Sequence, residues 1–271
     1  MSSYLEWKKR ALIMGSGGWW LPQNFDPENC IAAYQFKDAG SKSAALEDRT
    51  GHGYTLSESN GSVLYDTSKN SLVWNGRNAG YSEVHDGYLE STGLSQRSKE
   101  IRSLVVRYEH ITINASNMHL ISSGYFNDYG DYFGIHEELS YGNYEQPGFY
   151  VSEIFQNRQT TTDYGGMRLR IPSDGSKSPG CIGVTAFTVN DSDLGNQRFN
   201  DDETFVYNAV SKTLTNGRDI HDLLGSTTPK IGGFSFTTPN NCAYTIIGAA
   251  FYKVALTVKE FQDIHERLAT V

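Results

Sequence analysis

The sequence is short of cysteine, of positive charge and of long hydrophobic runs, and each shortage argues against a class of protein. Its 271 residues include three cysteines with no C-x-x-C pair, which argues against a zinc or redox site. Lysine and arginine number 23 against 31 acidic residues, and the resulting net charge of −8 argues against a nucleic-acid partner. No stretch approaches the roughly eighteen consecutive apolar residues of a membrane-spanning helix, so we expect no membrane insertion.

What the sequence has in abundance is typical of a β-protein. Aromatic residues make up 13% of the chain, with 17 tyrosines, and 27 glycines are available for turns. Short apolar segments such as residues 30–36, 71–74 and 101–108 alternate with turn signals, and roughly twelve to fourteen such strands can be traced. A chain of this length and pattern predicts one double-sheet sandwich.

The end of the chain carries a strand followed by a helix. Residues 243–255 form a near-continuous apolar run that is rich in β-formers. Thr257 and Glu260 then have the spacing of a capping box, in which each side chain bonds the other residue's backbone N–H. This spacing predicts a helix over about residues 258–269.

Two motifs suggest a family. The ending reads G-x-A-x-Y-x-x-A-L-T-x-x-E from Gly248 to Glu260, and the opening strand 30–37 is followed by the glycine-punctuated loop 48–51. Together they resemble laminin-G-like domains of the concanavalin A-like group, of the kind that bacteriophages and prophages encode. The resemblance implies an all-β jelly-roll sandwich of two antiparallel sheets with one short C-terminal helix, over residues 29–271. It also implies a protein made in the bacterial cytoplasm and displayed on a virion surface.

Residues 1–28 are predicted to be an N-terminal arm or linker. The basic Lys8-Lys9-Arg10 precedes an apolar run too short for a secretory signal, so we expect no signal peptide. A glycine linker then leads to an apolar cluster of Trp19, Trp20 and Leu21. One interpretation folds the tryptophans back on the sandwich edge. The other, which we take as the prediction, makes the cluster a docking arm for other virion proteins or sister copies.

The cysteines allow two interpretations. All three can be buried thiols of a protein made in a reducing cytoplasm. Alternatively Cys30 pairs with Cys242, because both precede apolar strands near the two ends of the chain, and the resemblance implies that the end strands of the jelly roll are neighbours.

Residues 125–150 are crowded with tyrosine and phenylalanine among Asn, Asp, Glu and Gly. A flat aromatic ring covers the apolar face of a sugar, while amides and carboxylates bond its hydroxyls. Part of this pattern also fits core residues of strands, which we expect for Phe126, Phe133, Phe149 and Tyr150. The remaining residues are the predicted carbohydrate-binding set: Tyr129, Tyr132, Tyr141, Asn143 and Tyr144.

Two oxygen-rich segments are candidates for calcium, which the resemblance places at the rim of the sandwich. The first contains Asp128 and Asp131 around a glycine, and the second contains Asp191 and Asp193. Each also fits a solvated turn rich in Asx residues.

Catalysis has little support in the sequence. The E-x-D-x-x-E spacing of retaining glycosidases is not found, nor is a G-x-S-x-G nucleophile motif, and no two of the seven histidines are spaced as metal ligands. We therefore expect a non-enzymatic module that binds host-surface carbohydrate. Two alternatives stay open: a purely structural capsid or tail protein without sugar binding, and a diverged glycosidase or polysaccharide lyase.

Overall fold

The computed structural model describes residues 18–112, 117–122, 132–138, 149–155, 167–172, 182–189, 193–200, 205–211, 228–234, 242–268 and 270–271. These residues form fifteen β-strands in two antiparallel sheets, with an eleven-residue helix near the C-terminus. The predicted fold, a jelly-roll sandwich of two antiparallel sheets with a short C-terminal helix, is confirmed. In chain order the strands are β1 Cys30–Gln35, β2 Ser57–Ser59, β3 Leu64–Asp66, β4 Ser71–Asn75, β5 Tyr88–Glu90, β6 Ser103–Thr112, β7 Asn117–Ser122, β8 Tyr132–Glu138, β9 Phe149–Phe155, β10 Met167–Pro172, β11 Ile182–Val189, β12 Asp193–Asn200, β13 Phe205–Ser211, β14 Lys230–Ile231 and β15 Ala243–Tyr252.

Strand β15 is the centre of the first sheet. That sheet has eight strands in the order β13-β12-β11-β6-β15-β4-β3, with β1 also paired to β15. Strand β6 pairs along one edge of β15, while β1 and β4 share the other edge. The second sheet has seven strands in the order β10-β9-β8-β7-β14-β5-β2.

Both faces of β15 are buried, which explains its near-continuous apolar sequence. All ten of its residues are buried. Tyr244, Ile246 and Phe251 belong to the core between the two sheets. Ile247 and Ala250 face the other way and belong to a second core on the outer side of the first sheet. A strand covered on two sides has no solvent face, so it shows no polar alternation.

Trp74 of β4 lies in the inter-sheet core and is fully buried. Its ring stacks on Tyr244 with centroids 5.5 Å apart and meets Phe36 edge-on at 6.1 Å. Its indole N–H donates to the carbonyl oxygen of Gly87 at 2.9 Å. Trp74 is therefore a core residue whose indole N–H has a hydrogen-bond partner, and it lies on a strand, as the sequence pattern predicts.

The C-terminal helix, Val258–Leu268, covers the second core with Phe261, Ile264 and Leu268, all of them buried. The predicted capping box starts it. The backbone N–H of Thr257 donates to Glu260 Oε2 at 2.7 Å, and the backbone N–H of Glu260 donates to Thr257 Oγ1 at 3.3 Å. None of the helices in the described part of the chain is long and apolar enough to span a bilayer.

Shorter helices lie in the connections. They are Lys42–Leu46 and Thr92–Gln96, with 3₁₀ turns at Pro27–Asn29 and Ser98–Glu100. A serine caps each of the two α-helical pieces through its side chain, which supplies an acceptor for a backbone N–H of the first turn.

The structure rules out the proposed pair of Cys30 and Cys242. Both thiols are free and buried. Cys30 lies opposite Tyr252, whereas Cys242 precedes Ala243 at the other end of the ten-residue strand β15. At about 3.3 Å per residue the two cysteines are on the order of 30 Å apart, far beyond the reach of a disulfide.

Two strands cross segments in which candidate binding residues were expected. Strand β8 crosses the aromatic-rich segment 125–150, and β12 occupies most of the oxygen-rich segment near Asp193. Strand β12 is polar, and β8 has apolar residues only in its first half before His136 and two glutamates, so neither shows the longer apolar pattern by which the other strands are traced. Their pairing comes from neighbours on each side instead.

Candidate functional site

The predicted carbohydrate-binding residues divide between the two ends of strand β8. Tyr132 opens β8 opposite Phe155, so it lies on a strand and not in a loop. Tyr129, Tyr141, Asn143 and Tyr144 lie outside the described residues. Tyr129 precedes β8, whereas the other three follow its last residue, Glu138, and the two ends of the strand are about 20 Å apart. In the sequence, strand β8 therefore separates Tyr129 from Tyr141, Asn143 and Tyr144, with Tyr132 on the strand itself.

The calcium candidates are placed only in part. Asp128, Asp131 and Asp191 lie outside the described residues. Asp193 opens β12 and pairs with Ser211, so the expected turn does not extend beyond residue 192. Within the described ranges, no group of three or more His, Cys, Asp or Glu side chains could hold a metal. Calcium binding stays a prediction from the sequence.

The apolar cluster of the N-terminal arm is folded onto the sandwich. Trp19 and Leu21 are buried in the second core, and Trp20 packs against it half-buried. Trp19 lies over Gly248 of β15 and beside Leu268 of the helix. The prediction that these three residues form an outward docking arm is therefore wrong for this structure. The alternative, that they fold back on the sandwich, is the one observed, because the outer face of the first sheet offers apolar surface to cover.

We call residues 18–29 the strap, since they cross the sheet next to the C-terminal helix. Three hydrogen bonds hold it. The backbone N–H of Gln23 donates to Asp263 Oδ2 at 2.6 Å, the hydroxyl of Tyr252 donates to the carbonyl oxygen of Trp20 at 2.9 Å, and the backbone N–H of Lys253 donates to the carbonyl oxygen of Asn29 at 2.9 Å. The strap is thus tied to both the helix and β15.

A groove of about 510 Å³ runs between the strap and the helix. Its strap side is formed by residues 22–24 and its helix side by polar residues from Thr257 to Glu266. Asp263 joins the two sides, because its Oδ2 accepts the hydrogen bond from the Gln23 N–H of the strap. Its other carboxylate oxygen accepts from Arg267 Nε of the same helix at 3.0 Å. We call this feature the strap–helix groove.

Burial shifts the pKa values of ionisable groups in the core and on the C-terminal helix. Burial, and then the Asp48 carboxylate, raises the pKa of the Cys30 thiol and of the Tyr34 phenol. Burial, and then the charge of Arg107, lowers the pKa of His265 to about 4. Arg107 Nη1 lies 3.4 Å from His265 Nδ1 and donates to the carbonyl oxygen of His265 at 3.2 Å. His265 is therefore neutral at physiological pH.

The sequence reasoning did not identify the residues of the strap–helix groove, although the helix wall of the groove could have been derived from the helical period. The helix and its buried face can be read from the sequence, so the opposite face carrying Gln262, Asp263 and Glu266 follows from the helical period. The other wall cannot be read in this way. Gln23 meets Asp263 across 240 residues of chain, and nothing in either local sequence points to the other.

Comparison with known proteins shows which solved structures share the fold of this chain. Neither a protein-family model nor a curated protein matches the chain. Among solved structures, the chain is similar to botulinum neurotoxin type C, which depends on two ganglioside molecules to enter cells, with a TM-score of 0.57 and 15% identity over 90% of this chain and 51% of that one. The binding domain of botulinum neurotoxin DC, solved with rat synaptotagmin II, gives a TM-score of 0.56 with 13% identity over 90% and 52%.

A third structure, the binding domain of botulinum neurotoxin serotype C1, gives a TM-score of 0.54 with 13% identity over 90% of this chain and 53% of that one. The chain therefore spans about half the length of the structures that it resembles. At these identities the likeness establishes the β-sandwich fold and leaves the ligand to be argued from this chain's own residues.

Proposed function

We propose that this chain is a non-enzymatic module that binds a receptor on a host cell surface, with carbohydrate as the ligand. The observation that carries the proposal is the sandwich, which 90% of the chain shares with receptor-binding domains of neurotoxins. A sandwich of this kind holds its connections on a rigid scaffold, and rigid presentation of loops is what recognition requires.

The tyrosine-rich connections around β8 support carbohydrate as the ligand. Tyrosine offers a flat apolar ring with a hydroxyl, and it loses little conformational entropy on binding. Tyr129 and Tyr132 form one candidate group at the start of β8, and Tyr141, Asn143 and Tyr144 form a second beyond its end. Because strand β8 separates the two groups in the sequence, we expect one of them to carry most of the carbohydrate binding.

A place on a virion surface stays part of the proposal. It rests on the sequence resemblance to phage-encoded laminin-G-like proteins alone. Docking to other virion proteins or to sister copies has to be proposed without Trp19, Trp20 and Leu21, since these residues already pack on the sandwich.

A glycan array probed with the labelled full chain tests the proposal. We expect binding to a defined set of glycans, weakened about tenfold or more by alanine at one tyrosine pair, Tyr129 with Tyr132 or Tyr141 with Tyr144. An array without any bound glycan would overturn carbohydrate recognition and favour the structural alternative. Release of sugar from a polysaccharide panel would overturn the non-enzymatic part.

A further inference from the structure

We infer that the strap–helix groove is itself a binding site for an uncharged oligosaccharide. The inference rests on the proposed function, because it assumes that the chain binds carbohydrate, and it adds a second site formed by residues outside the tyrosine-rich segments. Three properties of the groove carry it: a fixed frame, a lining of uncommitted hydrogen-bonding groups, and a net charge that selects against anions.

The frame of the groove is set by hydrogen bonds of three of its lining residues, Thr257, Glu260 and Asp263. Asp263 is bonded to the strap through Gln23 N–H and to Arg267 within the helix, so the two walls are held at a fixed spacing. Thr257 and Glu260 are occupied in the capping box. Below the strap, Trp19 is buried against β15. A frame held in this way loses little entropy when a ligand binds.

The other polar side chains of the lining make no hydrogen bonds or ion pairs within the described residues. These side chains are those of Gln23, Asn24, Lys259, Gln262 and Glu266. Asn24 has a φ of 63°, a left-handed conformation that asparagine tolerates and that sets the turn at the rim of the strap. The groove thus offers donors and acceptors from both walls.

The chemistry of this lining fits sugar hydroxyls. Each carboxamide of Gln23, Asn24 and Gln262 presents a donor and an acceptor together, as a pair of neighbouring hydroxyls on a sugar ring does. Lys259 adds donors and Glu266 adds acceptors. The volume of about 510 Å³ falls within the usual range for small-ligand sites.

The charge of the groove selects among saccharides. Glu260, Asp263 and Glu266 stand against Lys259, so the lining is net negative. A sialylated or phosphorylated glycan would meet three carboxylates and one ammonium, so repulsion between like charges would outweigh the attraction of Lys259. We therefore infer an uncharged saccharide.

A protein partner fits the groove less well. Protein interfaces depend on large aromatic or arginine anchors set in dry pockets. The lining residues of this groove include neither, and its apolar contribution is the buried Pro22. Without an aromatic platform, affinity has to come from hydrogen bonds, so we expect a Kd on the order of 1 mM for one saccharide unit.

The test compares one groove variant with a matched variant elsewhere. Gln262→Ala with Glu266→Ala removes one amide and one carboxylate from the groove. The control, Gln96→Ala with Glu47→Ala, removes the same two side-chain types from positions outside the groove lining. Binding of neutral and sialylated oligosaccharides to the full chain is measured on an array and by saturation-transfer NMR, with thermal melting as the check on folding.

We expect neutral oligosaccharides to bind, the groove variant to lose about tenfold in affinity and the control to match wild type. Equal binding by wild type and the groove variant would overturn this inference, and a loss in the tyrosine variants alone would leave the proposed function standing. Preference for sialylated glycans would also overturn it. If wild type bound no glycan at all, the proposed function would fall and this inference with it.

Discussion

The backbone of Gly232 lies against the indole ring of Trp74 and joins the two sheets at the centre of the core. Gly232 follows β14 of the second sheet, and its N–H donates to the carbonyl oxygen of Leu120 at 3.0 Å. Its φ is +78°, and a Cβ at this position would overlap the indole. Two independent requirements, a left-handed backbone and the absence of a side chain, therefore make this residue glycine.

Replacing Gly232 with alanine should destabilise the fold by about 2–4 kcal/mol, since the Cβ adds overpacking to backbone strain. Gly40→Ala is the matched control, because Gly40 has a φ of +84° and no atom lies within 4 Å of the place that its Cβ would take. It should cost only about 1 kcal/mol, the backbone part alone. Urea denaturation of both variants measures the difference. Equal losses would show that the contact with Trp74 is unimportant.

The capping box should contribute measurably to stability, because the helix that it starts covers the second core. Thr257→Ala removes the acceptor of the Glu260 N–H and should cost about 1 kcal/mol. Thr257→Ser keeps the hydroxyl and should remain close to wild type. Chemical denaturation followed by circular dichroism gives both values. A serine variant as unstable as the alanine variant would contradict a role for the hydroxyl.

The parts of the fold that could be predicted from the sequence are those with a local signal. The apolar run of β15 and the spacing of Thr257 and Glu260 depend on neighbouring residues, so the start of the last strand and the extent of the helix could be placed almost to the residue, while the strand ends three residues before the predicted run does. Strand β12 carries a polar sequence and β8 ends in polar residues, so the existence of both depends on the strands beside them. A local pattern cannot show such a dependence.

The strap–helix groove likewise has one wall with a local sequence pattern and one wall without such a pattern. The face of the helix that carries Gln262 and Glu266 can be derived from the helical period, once the helix is recognised. The strap could not be placed, because the burial of Trp19 depends on Gly248 and Leu268, both more than two hundred residues away along the chain. An apolar cluster behind a glycine linker fits a docking arm and a folded strap equally well.

Trp19 should be among the costly positions of the strap. Trp19→Ala leaves a cavity between β15 and the helix and should destabilise the fold by about 3–5 kcal/mol. Trp19→Phe keeps an aromatic ring and removes a buried indole N–H that has no hydrogen-bond partner among the described residues, so its cost should be clearly smaller, about 1–2 kcal/mol. Thermal melting of both variants decides the point. An unchanged melting temperature for Trp19→Ala would restore the outward docking arm.

His265 should make the helix sensitive to acid. Its pKa is lowered from 6.5 to about 4 in the folded protein, by burial first and by Arg107 second. Between these two values the unfolded chain binds more protons than the folded one, so protons favour unfolding. The contribution of neutral His265 to the free energy of unfolding is complete above about pH 6.5 and is lost as the pH falls towards 4. Because His265 is half-buried, solvent screening limits the effect to about 1 kcal/mol.

A neutral replacement isolates this effect from the titration of carboxylates. His265→Gln cannot gain the proton, so its unfolding free energy should fall less between about pH 7 and pH 5 than that of wild type. The difference between the two proteins should therefore shrink, or reverse in favour of the variant, on acidification. Urea denaturation at several pH values provides the comparison. If the unfolding free energies of the two proteins changed in parallel with pH, His265 would have an ordinary pKa on the folded helix, and burial and the Arg107 contact would not hold it neutral.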